Sequence, residues 1–237
     1  MLDISKITTT VTHKQDWLKA RLGKITASQA GKLIGEKSDK GIFKQTALSY
    51  LDGLCHEIIT GERYQEEFFT NATNFGNANE PFAVEHFCKL LGKSPMINPE
   101  TKDTHRLIVL DEYCGLTPDA LLPLYNDVNK LFDETGTKIK VSPLEVKCPP
   151  KNFLKLYRCE TPAQLKIVEP IYYWQVMFQM YGCDSLNAYF GVYHPSYPKQ
   201  RLIQFKQIEL IADIKFLKNT LDFAKLELQK TVNLFKN

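Results

Sequence analysis

Apolar residues recur along this chain with two different periods, and the period separates strands from helices. From Leu144 to Cys148 the alternation is strict: Leu144, Val146 and Cys148 point one way, Glu145 and Lys147 the other, as on a strand with one face in a core. Ala83, Val84, Phe87 and Leu91 repeat instead at helical spacing, and Glu80 projects along the same stripe. The run from Pro170 to Gly182 is apolar nearly all round, as for a helix pressed into a core, except that Gln175 and Gln179 share one face at i, i+4. A shorter helix is expected after Thr26, a plausible N-cap, with Ala27, Ala30 and Ile34 on one face and Gly35 as its stop. Near the C-terminus Leu210, Ile214, Leu217, Leu221, Ala224, Leu228 and Phe235 form a heptad seam broken by Thr231. Three heptads only just suffice for a coiled coil, so this helix is expected to pack on its own domain.

Taken along the whole chain, the periods place helices at about 14–21, 26–34, 43–59, 80–91, 161–182 and 208–235. Strands are expected near 105–110, 113–116, 119–124, 139–147, 186–193 and 201–207. The fold class that follows is α/β, a mixed central β-sheet flanked by helices. No linker-like tract, repeat or low-complexity segment interrupts it, so residues 1–237 read as one domain with a C-terminal amphipathic helix at about 208–235.

Composition narrows the class only slightly. Hydrophobic residues make up 43% and charged residues 24%, ordinary values for a globular protein with a full core. The net charge of +3 is a weak pointer to nucleic acid. Six cysteines (55, 88, 114, 148, 159 and 183) lie without a C-x-x-C pair, which signals neither zinc nor an iron–sulfur cluster. Without an N-terminal apolar leader or an 18-residue apolar run, the expectation is a reduced, intracellular protein with no membrane partner.

The candidate chemistry lies in Thr117-Pro118-Asp119-Ala120 and Leu144-Glu145-Val146-Lys147-Cys148-Pro149. Two carboxylates brought together repel, and a hard divalent cation such as Mg²⁺ relieves that repulsion. A nearby lysine can orient or deprotonate a water, or stabilise charge on a phosphate. An E-x-K triplet alone also suits a solvated strand face, but here apolar residues flank it and two prolines stop the strand. The acids stand 26 residues apart, and Asn126-Asp127, Asn129 and Glu134-Thr135-Gly136 between them are turn-formers, read as an extended hairpin or insertion. Arg21 and Ser28 suit a phosphate at a helix start, but equally a solvated charge and a helix-start hydroxyl. Glu80 serves equally as a buried ligand or as a first-turn acid before Pro81. Gln175 needs a partner inside its apolar helix, either a phosphate, its attacking water or a backbone group.

Asp119, Glu145 and Lys147 resemble the signature of the PD-(D/E)xK nuclease superfamily, whose fold is restriction-endonuclease-like. The order Trp17-x-x-x-Arg21-Leu-Gly-x-Ile-Thr-Ala-Ser28, Gly76-x-x-x-Glu80, Pro118-Asp119, Leu144-Glu-x-Lys-Cys-Pro149 and Gln175-Val-x-x-x-Met180 is similar to the lambda-type phage exonucleases, the YqaJ-like viral recombinase nucleases. That resemblance runs from about Trp17 to Tyr181 and on through a strand near 187–194. It implies metal ligands at Glu80, Asp119, Glu145 and the carbonyl of Val146, for two Mg²⁺ ions with Mn²⁺ as a substitute. It implies 5′-phosphate ligands at Arg21 and Ser28, with Thr117 and Gln175 beside them, and Lys147 serving the attacking water. Thr117 stands where serine is usual and keeps the hydroxyl; Ala120 stands where glycine is common. The implied activity is 5′→3′ degradation of one strand from double-stranded DNA ends in phage recombination, inside a bacterial host cell. A ring-shaped homotrimer and a single-strand annealing protein as partner belong to the same implication. Two rivals remain: an endonuclease of the same fold, which has no terminal phosphate to hold, and an inactive DNA-end-binding protein, which has no use for the acids and lysine.

Overall fold

The structure is a computed structural model that describes residues 10–11, 14–34, 43–64, 70–95, 105–123 and 141–236. In chain order the elements are β1 (Thr10–Val11), α1 (Lys14–Ala20), β2 (Ile25–Thr26), α2 (Ala27–Ala30), α3 (Gln45–Thr60), α4 (Asn71–Leu91), β3 (His105–Arg106), β4 (Ile108–Val109) and β5 (Cys114–Leu116). There follow β6 (Ala120–Pro123), β7 (Val141–Lys147), α5 (Phe153–Tyr157), α6 (Pro162–Val168), α7 (Pro170–Gly182), β8 (Asn187–Val192), β9 (Arg201–Lys206), a 3₁₀ turn (Gln207–Glu209) and α8 (Ile211–Lys236).

The main sheet runs β6-β7-β8-β9. Strands β6 and β7 pair antiparallel with Ala120 opposite Leu144 and Pro123 opposite Val141. Strand β8 lies parallel to β7, Glu145 opposite Phe190, and β9 closes the edge antiparallel to β8. A parallel pair needs a crossover, here α5, α6 and α7. A second small sheet joins β2 parallel to β5 and β4 antiparallel to it, which ties the N-terminal segment to the strand just ahead of Asp119. The expected mixed sheet flanked by helices is present.

Period-two alternation sorts the sheet's side chains between two cores. Ala120, Leu122, Leu144, Val146 and Tyr189 meet Ala83, Val84 and Phe87 of α4. Leu121, Val141, Ala188, Phe190 and Val192 join the larger core that includes Val176, Met177, Phe178 and Met180 of α7. A central strand covered on both faces can carry a charge only where neighbouring helices supply partners for it. One glycine sets the spacing of α4: a Cβ on Gly191 would come within 2.4 Å of the Phe87 ring. The bare backbone lets that ring lie on the strand.

Several boundaries differ from expectation, each for a local reason. Helix α4 begins at Asn71, capped by Thr70 whose side chain accepts from the Thr73 N–H, and it continues through Pro81. Glu80 is therefore mid-helix, and its reading as a first-turn acid is corrected. The expected 161–182 helix is two, because Pro170 lacks the N–H to continue α6 and restricts Glu169, which turns out to φ −142. The helix expected at 26–34 keeps its start, with Thr26 at the N-cap but without a side-chain capping bond, and is α-helical only over Ala27–Ala30; from Lys32 to Ile34 the N–H groups bond three residues back, as in turns. Helix α5 was not anticipated. Gly35 and the segment 124–140 between the acids lie outside the described residues. Helix α8 packs on α3 and α7 as expected, burying Leu217, Leu221, Ala224 and Leu228. Its seam continues through Val232, 2% exposed, whereas Phe235, seven residues on from Leu228 and on the same face, is 70% exposed in the last turn of the helix.

Candidate active site

Glu145 sits at the middle of the main sheet, on the face that α7 covers, and is 2% exposed. Buried carboxylates need donors, and three arrive. Lys147, two residues along the same face, pairs with Oε1. Gln175 donates Nε2–H to the same oxygen at 2.5 Å, and Gln179, one turn further along α7, donates to Oε2 at 2.6 Å. The i, i+4 glutamines thus share a single purpose, gripping one carboxylate.

Asp119 lies immediately before β6, one step past the last paired residue, Ala120. Its Oδ2 accepts the N–H of Val146 at 2.6 Å, where a backbone carbonyl would otherwise continue the ladder. The proline ahead of it and the strand behind it fix that geometry. A strand residue's N–H and C=O leave on the same edge, so the Val146 carbonyl also faces the Asp119 side.

Glu80 reaches this cluster from α4. Burial, and then the charge of Glu145, push its carboxyl up to about 7 against the opposing pull of Lys147. Burial also pushes Asp119 well above the usual carboxylate range, reinforced by Glu145 and Glu80 and opposed by Lys147 and the Val146 N–H. Burial pulls the Lys147 ammonium down, but Glu145 and Asp119 together push it further up, and the net direction is up. Lys147 is consequently a cation at neutral pH, its Nζ 5.3 Å from the Tyr172 ring centre. Three mutually repelling carboxylates against one ammonium form an all-oxygen donor set whose chemistry fits a hard divalent cation. Among the described residues no three acidic, histidine or cysteine side chains are already closed to ligand spacing. The donors fit by type and charge, and the spacing that would hold an ion is not formed by the protein alone.

The expected phosphate ligands are distributed around this centre. Arg21 follows α1, its guanidinium 4.1 Å from the Trp17 ring centre, and lines a cavity of about 600 Å³ between the α1–α2 segment and α3. Lys24, Lys32 and Arg63 line the same cavity with Thr26, Ser49 and Tyr50, so cations outnumber the single acid, Glu57. Glu57 is spent on backbone, accepting from the Gly23 N–H at 2.9 Å. Ser28, on α2, is 3.5 Å from the Thr26 hydroxyl and is not among the residues lining that cavity. Helix α2 packs on α7, the helix carrying Gln175. Thr117 is half-buried, two residues before Asp119. Gln175 is found on Glu145 rather than in the cavity with Arg21. Gln179 and the cavity cations went unassigned in the sequence. For Gln179 the i, i+4 spacing was the signal; for Lys24, Lys32 and Arg63, brought together by α2 and α3, there was none.

Solved structures with this fold include an alkaline exonuclease (LHK-Exo) from Laribacter hongkongensis, at TM-score 0.62 and 19% identity over 92% of this chain and 95% of that one. The same exonuclease in complex with dAMP gives TM-score 0.61 and 20% identity, with the same coverage. A phage related exonuclease from Haemophilus somnus 129PT gives TM-score 0.56 and 16% identity over 89% of this chain and 94% of that one. No curated protein matches. The fold is thus of the PD-(D/E)xK type found in alkaline exonucleases, and no described helix is long and apolar enough to cross a membrane. The family model for the YqaJ-like viral recombinase domain matches residues 16–184, which contain Arg21, Ser28, Glu80, Thr117, Asp119, Glu145, Lys147, Gln175 and Gln179, and the chain belongs to that family.

Proposed function

We propose that this protein is a metal-dependent 5′→3′ exonuclease that removes one strand of double-stranded DNA from its ends during phage recombination. The observation that carries this reading is the convergence of Glu80, Asp119, Glu145 and Lys147 at the end of β7. Burial and neighbouring carboxylates raise both Glu80 and Asp119, the kind of perturbation that functional sites concentrate.

Glu80, Asp119, Glu145 and the Val146 carbonyl would hold Mg²⁺, two ions in this reading with Mn²⁺ as a substitute, which when bound neutralise the phosphate and lower the pKa of water. The chain's own residues do the rest. Lys147 enters as the ammonium, orienting the attacking water and stabilising charge as it develops on the phosphate. Gln175 and Lys147 hold the Glu145 side chain in place. Arg21, in a cavity rich in cations, supplies a forked donor for a 5′-terminal phosphate. Ser28 and Thr117, which do not line that cavity, enter as hydroxyl donors on the family resemblance alone. A homotrimeric ring around the duplex, a single-strand annealing partner and a site of action in the bacterial cytoplasm complete the proposal.

The test is digestion, with and without Mg²⁺, of linear duplexes carrying 5′-phosphate or 5′-hydroxyl ends beside a closed circular duplex. Mononucleotides released in Mg²⁺ from linear DNA, faster from phosphorylated ends, are expected. Cutting of the circle would favour an endonuclease, and binding of ends without any cleavage would leave only an end-binding protein.

A further inference from the structure

Gln179 is fully buried in the middle of α7 between Val176, Met177, Phe178 and Met180, all of them apolar and buried. An apolar side chain would fill this place at less cost. Its Nε2 faces a carboxylate, which can only accept, so the amide oxygen must face the other way. That oxygen has no hydrogen-bond partner in the structure. A side chain that leaves its own acceptor orphaned in a core is retained for what its donor does.

What the donor does follows from counting lone pairs on Glu145. An ionised carboxylate offers about four acceptor sites, two on each oxygen. On Oε1 both are taken, by Lys147 and Gln175. On Oε2 Gln179 takes one, which leaves one. Oε2 is thus the oxygen able to accept a further bond, and the only described side chain holding it is Gln179.

We propose that Gln179 is a positioning residue for the cation site, fixing Glu145 Oε2 so that its remaining lone pair is presented as a ligand. The inference rests on the metal-dependent reading above. It separates two glutamines that sequence spacing treats alike: Gln175 shares an oxygen with Lys147, and Gln179 alone governs the oxygen left for a cation. Partners of this kind typically change metal affinity or activity by about 10–100-fold when removed.

The experiment compares wild type with Gln179→Met and Gln179→Leu, which keep the volume and remove the amide. Mn²⁺ binding is measured by calorimetry without DNA, melting temperature by circular dichroism, and the Mg²⁺ dependence of cleavage by titration. Expected are a loss of Mn²⁺ affinity and a rise in half-saturating Mg²⁺, each of about 10–100-fold. The maximal rate at saturating Mg²⁺ should change much less, and both variants should melt cooperatively near the wild-type temperature. Unchanged Mn²⁺ affinity in a folded variant overturns the proposal. So does a loss of binding that accompanies collapse of the melting transition in both variants, because that is a packing role. If wild type itself binds no Mn²⁺, the metal-dependent reading falls first and this inference falls with it.

Discussion

At the level of single residues the centre is an electrostatic device. Asp119→Ala and Glu145→Ala should each abolish cleavage while the fold persists, because each removes one of several charges that repel in the absence of a cation. Lys147→Ala should also abolish turnover yet leave Mn²⁺ binding largely in place, since the ammonium is not a ligand. Digestion assays beside calorimetry check both statements, and near-wild-type cleavage by any of the three contradicts the site. The raised pKa of Glu80 has a consequence for stability. With a folded pKa of about 7 above the ordinary 4.5, the folded state binds the proton more tightly than the unfolded chain. Stability from this group is therefore present below about pH 4.5 and is lost as pH rises toward about 7. Melting temperatures measured at pH 5 and pH 8 should show the metal-free protein weaker at pH 8. Glu80→Gln should reduce the difference, the remainder belonging to the raised Asp119, and Mg²⁺ should reduce it in wild type.

At the level of elements, the site depends on how closely α4 and α7 approach the sheet from its two sides. Helix α4 carries Glu80 and is seated by Phe87 on Gly191. Gly191→Ala would place a methyl group inside that ring's contact distance and should destabilise the protein by about 1–3 kcal/mol. The double variant Gly191→Ala, Phe87→Leu should recover part of the loss, since the two positions share one contact. Denaturant melts of the four proteins in that cycle decide it, and strict additivity would show that the contact does not seat the helix. On the other side, α7 is locked to α6 and α8 through Asp213, which accepts from the Tyr173 hydroxyl at 2.5 Å and pairs with Lys166 at 2.7 Å. This lock keeps Gln175 and Gln179 in register with β7, which links a distant helix to the geometry of the carboxylates.

For the molecule as a whole, the question is how it stays on a substrate that it destroys. A net charge of +3 offers little general adhesion to DNA. Two features proposed here would replace it. A forked bond from Arg21 to a terminal phosphate is worth roughly 1.5–3 kcal/mol. Arg21→Ala should therefore erase most of the preference for 5′-phosphorylated ends and shorten processive runs, and wild type lacking any such preference would refute the pocket. A closed ring supplies topological retention, and a cyclic homo-oligomer is the simplest way to build one. Light scattering should return three times the 27.2 kDa chain mass at micromolar concentration; the mass of a single chain would exclude the ring.

Local patterns, read without coordinates, carried the chemistry and most of the architecture. Glu145 and Lys147 share a strand face because side chains alternate, whatever the rest of the chain does. The mixed sheet, the apolar α7 and the buried seam of α8 follow from periodicity in the same way, and the ordered motifs from Trp17 to Met180 indicated the family. Other features depend on contacts between residues far apart in sequence. The mid-helix place of Glu80 is the exception, since the cap that starts α4 early is local, Thr70 accepting from the Thr73 N–H. That Ile25 and Thr26 form a strand required β5 beside them, since a two-residue strand has no period to read. That Gln175 and Gln179 take opposite oxygens of Glu145 required the crossover that lays α7 over β7. Amphipathic period is a property of neighbours along the chain, whereas hydrogen-bond partnership and desolvation belong to neighbours in space, and only the folded chain specifies those.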